Sequence, residues 1–164
     1  MKYRLVLAAV SSTVLFAAAA CDDNNDPVLL PGPGMTITFG SSLTGANVRP
    51  TPVSTAGTGT AILEVNGSSA VFRLTANGLS SVATAASLHV GGTADVGPVI
   101  FPFTVNAVQS GTVASGIIDM RGMLTPGGIT GDSLRVLLRT GNAYIDVSTV
   151  NFPAGEIRGQ FVRQ

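Results

Sequence analysis

Few side chains in this sequence are equipped for chemistry. There is one histidine, His89, and one cysteine, Cys21. A lone cysteine excludes a disulfide framework and any cysteine-rich metal cluster. Ser87 lies two residues before His89, so on a strand the two share a face, and Tyr144, Asp146 and Ser148 share a face by the same rule. A serine beside a paired histidine and aspartate is the constellation of nucleophilic catalysis. No nucleophile-elbow motif and no oxyanion loop accompany these residues. With His89 as the sole imidazole, and Asp95, Asp119, Asp132 and Asp146 as scattered oxygen donors, tight copper or zinc binding is not expected. No alternating Asp/Asn calcium loop occurs. The expectation is therefore no catalytic residue, no metal and no cofactor. Glu156 and Arg158 lie on the strand face opposite Ile157. They are expected to make cross-strand polar contacts near a sheet edge, each worth under ~1 kcal/mol.

The elements that position these residues are short strands. Period-two alternation runs through Met35, Ile37 and Phe39, then Ala61, Leu63 and Val65, then Phe72 and Leu74. Val99, Phe101, Phe103 and Val105 are read as one face of a further strand, with Pro102 marking it as an edge or a bulge. Ala143, Ile145 and Val147 point away from Tyr144, Asp146 and Ser148, and Ile157 and Phe161 alternate with Glu156, Arg158 and Gln160. Turn signals separate the runs: Asn66-Gly67, Asn77-Gly78, Gly91-Gly92, Gly97-Pro98, Pro126-Gly127-Gly128 and Pro153-Ala154-Gly155. Gly155 and Gly159 are read as structural, permitting tight backbone geometry. One segment departs from period two. Leu134, Leu137 and Leu138 recur at helical spacing, with Thr130 or Asp132 as N-cap and Gly141 as terminator, and predict a short amphipathic helix over one end of the fold. The fold class read from the pattern is all-β, an antiparallel β-sandwich with one short helix.

Composition sets the setting. Charged residues are 11% of the chain, against about a quarter in an ordinary domain. Nine basic residues balance nine acidic ones, so no nucleic-acid partner is expected. Lys2 and Arg4 precede an apolar run from Leu5 to Ala20 that is shorter than the ~20 residues of a membrane-spanning helix. Residues 1–20 read as a signal peptide. Cys21 follows directly and resembles the lipidated cysteine of a bacterial lipobox, with Ala18 where leucine is usual. The expectation is an exported, cell-envelope protein with a lipid anchor on Cys21. A tether over residues 21–35, rich in Asp, Asn, Pro and Gly, precedes one domain over residues 36–164.

Gly141-Asn142-Ala143-Tyr144-Ile145-Asp146-Val147-Ser148-Thr149, followed by Pro153-Ala154-Gly155-Glu156-Ile157-Arg158-Gly159-Gln160, resembles the closing signature of the CHRD domain. Leu43-Thr44-Gly45, Ala86-Ser87-Leu88-His89-Val90-Gly91 and Gly97-Pro98-Val99 resemble its earlier pieces. The resemblance implies a Greek-key β-sandwich similar in outline to Cu/Zn superoxide dismutase, in which Tyr144, Gly155, Glu156, Arg158 and Gly159 belong to a structural signature. It also implies a histidine cluster that this chain has largely lost. The family pattern carries histidine at three positions held here by Ser87, His89 and Ser148, and Asp146 replaces its asparagine. If the strands pair as the resemblance implies, His89 and Asp146 meet in a hydrogen-bonded polar cluster. Two functions follow as expectations. One is a non-enzymatic binding or structural module for a protein or glycan partner. The other is a metal-binding or redox module with a degenerate histidine site.

Overall fold

The computed structural model describes residues 35–164. The segment read as a signal peptide, Cys21 and nearly all of the segment read as a tether lie outside the described residues.

The chain forms β1 (Thr36–Thr44), β2 (Thr58–Asn66), β3 (Ser69–Asn77), β4 (Ala83–Val90), β5 (Val99–Phe103), β6 (Gly111–Asp119), β7 (Met123–Leu124), β8 (Ile129–Thr130), α1 (Gly131–Arg139), β9 (Ala143–Thr149), β10 (Ile157–Gln160) and β11 (Val162–Arg163). The architecture is all-β with one short helix. The two layers belong to one antiparallel sheet, ordered β5-β4-β9-β10-β1-β2-β3-β6, with β11 also on β1 and a separate β7-β8 pair. The meander β1-β2-β3-β6 makes one layer, and β10-β9-β4-β5 makes the other. They join where β10 meets β1 at a single register pair, Thr44 with Arg158. Past Phe161 the last segment changes partner. β10 runs along β9 from Ile157↔Val147 to Gln160↔Tyr144, whereas β11 lies on β1 at Phe39↔Arg163 and Gly40↔Val162. A strand that exchanges neighbours in this way turns the corner between layers.

The interior follows from the alternation. Phe39, Leu43, Leu63, Leu74, Leu88, Ile118, Ile145, Ile157 and Phe161 are fully buried between the layers. β10 approaches β1 so closely that a Cβ on Gly159 would sit 2.3 Å from Ser41 Oγ and 2.5 Å from Ser42 O, so only glycine fits there. Thr130 is the N-cap of α1: its Oγ1 accepts from Ser133 N at 3.2 Å. Gly141 follows the helix at φ +67°. Leu134 and Leu138 are buried in the core, while Leu137 is only half-buried.

Two readings need correction. On β5 the fully buried side chain is Ile100, with Phe103 beside it, whereas Val99 and Phe101 are half-buried. A register shift between Leu88 and His89 on the partner strand breaks the simple alternation. β5 does lie at the end of the sheet order, where Pro102 withholds no ladder donor from a second neighbour. The second correction concerns Glu156 and Arg158. They are not edge contacts: β10 is interior to the sheet, and the two residues are 0% and 4% exposed.

Candidate functional site

The outer face of β4, β9 and β10 gathers most of the polar residues read from the sequence. Antiparallel register sets Ser87 opposite Asp146 and His89 opposite Tyr144 across β4 and β9. It sets Asp146 opposite Arg158 and Tyr144 opposite Gln160 across β9 and β10. His89 Nε2 lies 3.3 Å from Asp146 Oδ1. The His89 ring stacks on Tyr144 at a centroid distance of 4.7 Å and an angle of 10°. From the strand on the other side, the Arg158 guanidinium sits 3.5 Å from the Tyr144 ring centroid. Imidazole, phenol and guanidinium thus form one stack across three strands, favoured by the negative face of the phenol ring.

The stack is roofed by the loop between β4 and β5. Arg158 Nη1 donates to Asp95 O at 2.6 Å, and Nη2 donates to Gly92 O at 2.8 Å. Gly97 N donates to Tyr144 Oη at 3.1 Å, and the hydroxyl donates back to Gly97 O at 3.3 Å. His89 Nδ1 lies 3.0 Å from the same carbonyl. Gln160 Nε2 donates to Gly91 O, Gly141 O and Ala143 O at 2.6–2.9 Å. Gly97 must be glycine, since a Cβ there would lie 1.7 Å from Val90 O. The roof leaves Tyr144 only 2% exposed, although it points away from the core.

Both nitrogens of His89 therefore face acceptors, a carboxylate and a carbonyl, and only the imidazolium donates to both. Burial disfavours that cation. The hydrogen bond and charge of Asp146, with help from Gly97 O, outweigh burial and the opposing Arg158, and hold the imidazole above the ordinary histidine value. For Arg158, burial lowers the guanidinium below its ordinary value, opposed by Tyr144 and assisted by Arg49. Ser87 and Ser148 lie on the same face, half-buried, and neither hydroxyl has a hydrogen-bond partner among the described residues. A serine–histidine relay is not assembled, because the nitrogen that would receive the serine proton faces Gly97 O. Among the described residues no three His, Cys, Asp or Glu side chains gather as a metal ligand set.

Glu156 forms a second cluster just before β10. Oε1 accepts from Thr55 Oγ1 at 2.7 Å and Ser80 N at 2.8 Å. Oε2 accepts from Ser80 Oγ at 2.8 Å and Thr149 Oγ1 at 2.6 Å. Burial pushes this carboxyl up, but the bonds from Thr149, Thr55 and Ser80 outweigh it and hold the group below its usual range. The carboxylate ties the β1–β2 loop, the β3–β4 loop and the end of β9 into one knot. Sequence reasoning missed both the knot and the roof. Their signals were the paired Gly91-Gly92 and Gly97-Pro98, read only as turns, and the hydroxyls of Thr55 and Ser80, far from Glu156 in the chain.

A family model described as the CHRD domain matches residues 39–161. Neither the curated proteins nor the solved structures contain a match.

Proposed function

We propose, for a chain that belongs to the CHRD domain family, the role of a non-enzymatic cell-envelope lipoprotein whose β-domain is a binding or structural module for a macromolecular partner. The observation that carries the non-enzymatic half is the engagement of His89. Its two nitrogens face Asp146 and Gly97 O, inside a stack that holds down the protein's own loop. The polar cluster in the family's histidine positions acts as a fastener rather than as a reaction centre, since function must be argued from site geometry and not from fold. The anchoring half rests on the sequence, where Cys21 follows the apolar run directly. A diacylated cysteine holds a domain at a membrane, because two acyl chains give stable attachment where one does not.

Mass spectrometry of the N-terminus, after expression of the full chain in a bacterial host, tests the anchor. The expected mature form begins at an acylated Cys21, and Cys21→Ser is expected in the soluble fraction. An unmodified Cys21 thiol would reject the anchor. The non-enzymatic half is tested by ester hydrolysis and by copper and zinc calorimetry. Robust hydrolysis lost in His89→Ala, or sub-micromolar metal affinity, would reject it.

A further inference from the structure

Next to the stack lies a hollow of about 70 Å3, lined by Asn47, Arg49, Thr93, Arg158 and Gln160. We propose that it binds a tetrahedral oxyanion of the phosphate or sulfate type, free or esterified to a larger molecule. This inference does not depend on the lipid anchor or on the macromolecular partner.

Charge is the first argument. Two guanidiniums and no carboxylate line the hollow. Arg158 is 4% exposed, and Arg49 is near enough to disfavour its charge. Asp95 and Asp146 also act on Arg158, but neither lines the hollow, and each has its own partner. Asp95 Oδ2 accepts from Gly92 N at 2.8 Å, and Asp146 faces His89. Arg49 enters no ion pair among the described residues; its Nη1 donates to Ala46 O and Val48 O at 3.0 and 2.9 Å. Two like charges beside one hollow are stabilised by an anion between them, and guanidinium N–H groups suit tetrahedral oxyanions.

The second argument is spare donors. Arg158 gives one N–H from each Nη to the roof carbonyls, and Arg49 bonds the backbone through Nη1 alone, so each guanidinium keeps N–H groups for a ligand.

Titration calorimetry of the purified full chain at pH 7, with sodium phosphate and sodium sulfate in parallel, tests the proposal. Saturable binding with a sub-millimolar Kd is expected for both anions. Arg49→Gln, shown to be folded by far-UV circular dichroism, is expected to weaken phosphate at least ten-fold. Should that variant fail to fold, Thr93→Glu places a carboxylate in the hollow from an exposed loop position and is expected to abolish binding. Glycerol 3-phosphate separates the sources. Binding extends the site to esters, and failure confines it to free oxyanions. Absent binding of both anions, or unchanged affinity in the folded variants, would overturn the proposal.

Discussion

Replacing Glu156 with glutamine changes one atom and a charge at the point where three segments are tied together. The four donors around the carboxylate do not respond alike. Ser80 N–H cannot reverse, so the new amide must keep its oxygen at the Oε1 position and put its nitrogen where Oε2 accepted from Ser80 Oγ and Thr149 Oγ1. Both hydroxyls then have to turn from donor to acceptor. All four bonds pass from charge-assisted to neutral, a loss of about 1 kcal/mol each, partly offset by no longer burying a charge. The net expectation is a loss of about 2 kcal/mol at pH 7, or a fall in Tm of roughly 6–10 °C for a domain of this size. Glu156→Ala, which strands Ser80 N–H and two threonine hydroxyls, should lose about 4 kcal/mol. A pH series supplies the control. The folded carboxyl titrates below its unfolded value of 4.5, so between the two values the unfolded chain binds more protons and stability rises with pH. The contribution is complete above pH 4.5 and is lost as pH falls through the folded value. Urea denaturation followed by far-UV circular dichroism at pH 7 and pH 3 should show the gap between wild type and Glu156→Gln closing at the lower pH. A variant within about 0.5 kcal/mol of wild type at pH 7, or a gap that does not narrow in acid, would refute the reasoning.

His89 titrates with the opposite sign. Its folded value lies above the ordinary 6.5, so its contribution is complete below pH 6.5 and is lost as pH rises through the folded value. His89→Gln should flatten that slope in denaturation curves between pH 5.5 and 8.5. Arg158→Lys keeps the charge but loses the fork that reaches Asp95 O and Gly92 O, and should destabilise by about 2 kcal/mol by thermal melting. Gly97→Ala puts a Cβ into Val90 O, which should lift the β4–β5 loop; faster amide exchange over residues 91–97 with β1–β3 unaffected would report it. Leu134→Ala opens a cavity under the helix and should lower stability by about 2–5 kcal/mol by urea titration.

Much of the fold was legible because each strand of the meander has one dry face. Ile37 and Phe39, Ala61, Leu63 and Val65, and Phe72 and Leu74 alternate with polar neighbours, and all are buried. The helix was legible for a similar reason, with a threonine cap, a leucine stripe and a closing glycine all in one short segment. β5 was misread because its phase depends on a bulge in another strand, which leaves no trace in its own residues. Glu156 and Arg158 were misplaced because charge was taken to mean exposure. Their burial is produced by loops distant in sequence, and local pattern carries no information about what covers a face. The meeting of His89 and Asp146 was expected only through the family resemblance, since nothing in the alternation of β4 or β9 says which strands pair.

The exchange of neighbours at Phe161 bears on when this protein can fold. One side of β1 is completed only by Arg158, Val162 and Arg163, so the nascent domain remains unsealed until β10 and β11 have left the ribosome. At roughly 5–20 residues per second, the stretch between β1 and β11 leaves apolar side chains uncovered for roughly 6–24 s of synthesis. Uncovered apolar surface and an unpaired strand edge are prone to aggregate over that interval. The chain is also slow to become compact, because the meander must wait for its late partner.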